Sequence, residues 1–103
     1  MEQEELTGQA TPEKIAQWKQ KHGDIFAVEV ENSICYLHKP DRKTMKAVAS
    51  IGQADPIRAS EILLENCWID GDPDIKTDDE KFFAVSKEMA KIIEVKQAEL
   101  KKL

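Results

Sequence analysis

A chain of 103 residues with a net charge of -5, 41% hydrophobic and 34% charged, has room for one modest core. That composition belongs to an ordinary water-soluble protein, excludes low-complexity classes, and disfavours general nucleic-acid binding. No apolar run approaches the roughly 20 residues of a membrane-spanning helix, and "MEQEELTGQATPEK" is acidic and polar where a signal peptide would be basic and then apolar, so a cytoplasmic location is expected.

Residues 1–10 lack periodicity and are expected to form a disordered leader ahead of a single α+β domain over residues 11–103. Thr11 offers an N-cap with Pro12 behind it, and Ile15, Trp18 and His22 follow at helical spacing until Gly23 stops the segment. "IFAVEVENSICYLHK" then switches to period two. With Asn32-Ser33 as a two-residue hairpin turn, Val30 faces Cys35, Val28 faces Leu37 and Phe26 faces Lys39, which puts the apolar residues on one side and Glu29, Tyr36 and His38 on the other. A lone hairpin is marginal, so helices must cover its apolar face.

Asp41 caps a helix running to about Ile51, with Met45, Val48 and Ala49 inward and Gly52 at its stop. Asp55-Pro56 repeats the cap-then-proline start, with Ile57, Leu64 and Trp68 lining the helix that follows and Gly71 and Pro73 breaking it. Thr77 and Glu80 read as a capping box opening a long last helix, along which Phe82, Val85, Met89, Ile92 or Ile93, Leu100 and Leu103 recur every three to four residues. The expected fold class is α+β: an N-terminal helix, one β-hairpin, then three helices packed on it.

Few residues suggest reaction chemistry. Asp70, Asp72 and Asp74 open like a calcium loop, but the sixth and twelfth positions hold Ile75 and Lys81 where Gly and a bidentate Glu are needed. A zinc site would have to recruit His22, Cys35, His38 and Cys67, and in the hairpin Cys35 and His38 point to opposite faces. Both cysteines read as reduced apolar fillers, no Ser sits in a glycine-rich turn, and the carboxylates define no cleft. No catalytic residue, metal or cofactor is expected.

Two surfaces carry more information. Arg42, Lys43 and Lys46 occupy the first turns of a helix, where the dipole disfavours cations, so local stability does not explain them; they read either as a docking patch for an acidic partner or a phosphate backbone, or as a solvated helix face steered toward the acidic 70–80 turn of the same molecule. The closing "IIEVKQAELKKL" sets Ile93, Leu100 and Leu103 among Lys and Glu, and its end overhangs what a core of this size readily covers; packing onto the domain is the commoner fate of such a stripe, and helix-in-groove binding of a partner or self-association is the other.

The phrases "CYLHKPDRKTMKA", "ILLENCWIDGD", "IKTDDEKF" and "IIEVKQAELKKL", in that order and spacing from about Trp18 to Leu103, resemble a group of small phage and prophage tail assembly chaperones. The resemblance implies a non-enzymatic protein of the bacterial cytoplasm that keeps a tape-measure protein soluble and helps tail-tube subunits polymerise around it. It defines no binding residues. The rival expectation is a small regulatory or adaptor protein contacting nucleic acid or an acidic partner through the basic patch at residues 39–46, although a negative chain without aromatics in that patch fits nucleic acid poorly.

Overall fold

Four of the helices begin where a short polar side chain catches a free backbone N–H, in a computed structural model that describes residues 6–93 and 98–103. Thr11 accepts from the Lys14 N–H at 3.3 Å to open α1 (Pro12–His22), and Asp41 accepts from the Thr44 N–H at 2.7 Å to open α2 (Arg42–Gly52). Asp55 accepts from the Arg58 N–H at 3.0 Å to open α3 (Pro56–Cys67). A single turn, α4 (Asp74–Thr77), precedes α5 (Asp79–Ile92). The cap of α5 is Asp78, which accepts from the Lys81 N–H at 3.2 Å, and not Thr77, which ends α4. An ionised carboxylate suits the positive end of the helix better than a hydroxyl.

Between α1 and α2 the chain forms the antiparallel hairpin β1 (Ile25–Val30) and β2 (Ser33–His38). Its turn is Glu31-Asn32, with Glu31 at φ 53°, so Val30 pairs with Ser33, Val28 with Cys35 and Phe26 with Leu37. Every pairing lies two residues from the one expected around Asn32-Ser33. An even shift leaves each side chain on its own face, so Phe26, Val28, Val30, Cys35 and Leu37 still meet the main core, beside Leu63, Leu64, Cys67, Ile75, Phe82, Val85, Met89 and Ile92.

The hairpin is also not alone. Trp68, expected as the last inward residue of a helix, instead opens β3 (Trp68–Gly71), which pairs antiparallel with β2 to give the sheet order β1-β2-β3. Ile69 is bulged out between the pairs Tyr36 with Asp70 and Leu37 with Trp68. The cause is burial: β2 is buried from Ser33 to Leu37, and its outer edge needs partners for its N–H and C=O groups.

The opposite face of the sheet is covered as well. Tyr36, expected to point outward, is buried under α1, its ring 5.2 Å from that of Trp18 and its hydroxyl accepting from the Ala10 N–H at 3.0 Å. His22 stacks on His38 with ring centres 4.7 Å apart. Part of the expected leader is therefore structural. The Thr7 N–H donates to the Asn32 carbonyl at 2.8 Å and the Ile34 N–H to the Thr7 carbonyl at 3.0 Å, which joins residues 6–10 to the sheet; residues 1–5 lie outside the described residues.

The last helix is shorter than its apolar spacing suggests. It ends at Ile92, capped at Ile93; residues 94–97 lie outside the described residues, and residues 98–103 have no regular secondary structure. The consecutive β-branched residues Ile92 and Ile93 at its end favour helix weakly. Two side chains expected inward are also exposed, Ala49 and Ile57.

Gly71 and Gly8 allow three strands of chain to meet at one point. Gly71, at φ 148°, lies so close to β2 that a Cβ there would stand 2.6 Å from the Cα of Cys35 and 2.7 Å from the Ile34 carbonyl oxygen. At Gly8, at φ 92°, a Cβ would stand 2.3 Å from the Asp72 nitrogen. The neighbouring atoms are mostly backbone, so neither collision relaxes cheaply. Gly71→Ala should cost about 2–5 kcal/mol in urea denaturation, combining torsional strain with overpacking; a loss below about 1 kcal/mol would mean that β3 does not approach β2 this closely.

Candidate functional site

The acidic turn that opens like a calcium loop is engaged by the protein itself. Asp72 is buried at the start of α4, where its Oδ1 accepts from the Asp74 N–H at 3.0 Å and its Oδ2 from the Ser33 hydroxyl at 2.5 Å. The Lys81 ammonium, reaching from α5, donates to the same Ser33 oxygen at 3.0 Å. The Ser33 hydrogen bond first, then the Asp74 N–H and the nearby Lys81 charge, hold the Asp72 carboxyl below its ordinary 3.8. Asp70 accepts from the Gly71 N–H at 2.9 Å, and Asp78 caps α5. Among the described residues no group of three or more His, Cys, Asp and Glu is arranged to hold a metal ion.

The four residues of the notional zinc set separate in the same way. Cys35 and Cys67 lie in the core, whereas His22 and His38 stack on the α1 side of the sheet. Burial pushes the Cys35 thiol up to about 12 and, with help from the Asp41 charge, the Cys67 thiol up to about 11. Both stay protonated at neutral pH and are poor nucleophiles. His22 is lowered, by partial loss of water and by the neighbouring His38 and Lys21.

The partner-binding candidates fall into three places. Arg42, Lys43 and Lys46 are exposed on α2 and form no ion pair with a described residue, whereas Lys39 reaches Asp24 at 3.4 Å. Ile93 is set apart from Leu100 and Leu103: it is half-buried against the core and lines a shallow groove of about 200 Å³ with Val48, Ala59, Leu63 and Ser86. The Ser86 hydroxyl is buried with no hydrogen-bond partner among the described residues. Leu100 and Leu103 are fully exposed, outside any helix.

A further surface escapes sequence reasoning. Ile57 of α3 and Phe83 of α5 are 54% and 52% exposed, and they flank a hollow of about 240 Å³ completed by Glu61, Lys76, Asp79 and Phe82. Phe82 and Phe83 meet edge to face with ring centres 5.5 Å apart, so the buried ring supports the exposed one. Lys76 lies over the Trp68 ring at 4.4 Å and Arg58 pairs with Glu61 at 3.3 Å, so both nearby cations are engaged. The sequence signal was a doubled phenylalanine at the head of a helix, of which only one can follow the core stripe.

No protein family, curated protein or solved structure matches the chain.

Two outcomes check this reading of the acidic turn. Ser33→Ala removes the hydroxyl between Asp72 and Lys81 and should cost about 1–3 kcal/mol. Because the folded Asp72 pKa is lowered, its contribution is complete above the ordinary value of 3.8 and is lost as the pH falls through the folded value, so acid should narrow the gap between wild type and Ser33→Ala. Calcium or magnesium at millimolar levels should leave the melting temperature within about a degree; a rise of several degrees would mean specific binding to the folded state.

Proposed function

We propose that the protein is a non-enzymatic binding protein of the phage tail assembly chaperone kind, which holds a long helical tape-measure protein in solution and meets tail-tube subunits while the tail forms. The observation that carries the reading is the pair Leu100 and Leu103, fully exposed and separated by two lysines. Apolar side chains left in water gain about 1.5–3 kcal/mol each when a partner buries them fully, and the lysines suit a partner whose apolar stripe is edged by acids. The exposed Arg42, Lys43 and Lys46 add long-range attraction that salt weakens. The choice of a tape-measure protein as that partner rests on the resemblance of the four sequence phrases.

Coexpression with the tape-measure protein of the same tail gene cluster tests this. Wild type should keep that partner soluble, Leu100→Asp with Leu103→Asp should lose it while remaining folded by circular dichroism, and Arg42→Glu with Lys43→Glu and Lys46→Glu should weaken it. Failure of the wild type to affect the partner removes the proposal. If purified wild type instead binds DNA with a steep salt dependence, the adaptor role replaces it.

A further inference from the structure

Among the described residues four large hydrophobic side chains are exposed, and they fall into two unlike pairs. Ile57 and Phe83 sit on two helices that the core holds in place, on either side of the hollow between α3 and α5. Leu100 and Leu103 sit on an irregular segment outside the core. One pair belongs to a surface held in place by the core, and the other to a segment without regular secondary structure.

Their charges are opposite. Glu61 and Asp79 line the hollow together with Lys76, and Glu65 lines the notch beside it. Lys76 is held over Trp68, and Arg58 pairs with Glu61, so the rim acids without an ion-pair partner among the described residues are Asp79 and Glu65. In the segment "ELKKL", Lys101 and Lys102 lie between the two leucines and outnumber the single acid, Glu99, that precedes them. A hollow flanked by two exposed apolar side chains and carrying unpaired acids on its rim is thus matched by an apolar pair with a basic middle, the complementarity that steers encounter and fixes register. Leucines three residues apart also share one face if the segment winds into a helical turn on docking, as amphipathic segments do in hydrophobic grooves.

We infer that Leu100 and Leu103 of one copy of this chain dock into the Ile57–Phe83 hollow of a second copy, joining molecules head to tail. The two surfaces differ, so each docked molecule still presents a free hollow at one side and a free tail at the other, and assembly continues unless the geometry closes a ring. The contact requires no other protein, so it stands independently of the proposed chaperone function. Any partner that takes the tail would compete with it.

The test is the mass of the purified full-length chain in sedimentation velocity, for wild type, for Phe83→Lys and for Leu100→Asp with Leu103→Asp. All the substituted side chains are exposed, circular dichroism checks folding, and Ile57→Lys replaces Phe83→Lys if the latter fails to fold. Wild type should grow beyond a dimer as concentration rises and return toward monomer in high salt. Each variant alone should stay monomeric. An equimolar mixture of the two should form a dimer and stop there, because one supplies the only intact hollow and the other the only intact tail. A wild type that is monomeric at every concentration would overturn the inference, since the tail would then fold onto its own molecule or serve only another protein. So would a mixture that stays monomeric, or variants that associate as wild type does.

Discussion

The structure depends on the burial of β2. Cys35, Tyr36 and Leu37 are covered on both faces, and a buried strand cannot leave its backbone groups to water. β1 satisfies one edge, and the other is shared by β3 and by the segment around Thr7. At Ile34 that sharing is visible in a single residue: its N–H goes to the Thr7 carbonyl, and its carbonyl accepts from the Asp72 N–H. The glycines at 8 and 71 belong to the same constraint, because only a residue without a Cβ lets a third and a fourth segment approach so near.

Fixing that edge places a buried carboxylate beside it. Asp72 arrives there because β3 does, and it is tolerated because its oxygens are occupied by the Ser33 hydroxyl and the Asp74 N–H, with the Lys81 ammonium one hydrogen bond further on. The cluster spans the hairpin, the turn after β3 and the first turn of α5. It thereby couples the position of α5 to that of the sheet, and with α5 the position of Phe83 on the outer surface.

The acids and cations at helix ends therefore have different physical explanations. Asp79 and Glu80 stand in the first turn of α5, where the helix dipole favours them. Arg42 and Lys43 stand at the corresponding end of α2, where it does not, and among the described residues no acid pairs with them within the molecule. The Lys43 charge is nevertheless felt within the chain, where, after the hydrogen bonds from Thr44, it helps to lower the Asp41 carboxyl. Leu100 and Leu103 contribute nothing to the core and remain in water.

Much of the molecule was legible from local chemistry. Thr11, Asp41 and Asp55 cap the helices they announce, because a cap requires only a side chain and the N–H three residues on. The two faces of β1 and β2 follow from alternation, which an even register shift leaves intact. What local chemistry could not supply was the identity of distant partners. Ser33 and Asp72 are 39 residues apart, so the one reads as a turn residue and the other as a solvated acid until the fold joins them. Trp68 and Ile69 suit a helix end by spacing, and only the unpaired edge of a buried strand makes them β3. Burial of Tyr36 needed α1 to cross the second face, which no pattern within β2 announces. Periodicity within one segment thus determined which side chains face inward, while tertiary packing decided how far each segment continues and what it meets, because a core has a finite surface and its backbone edges must be paired.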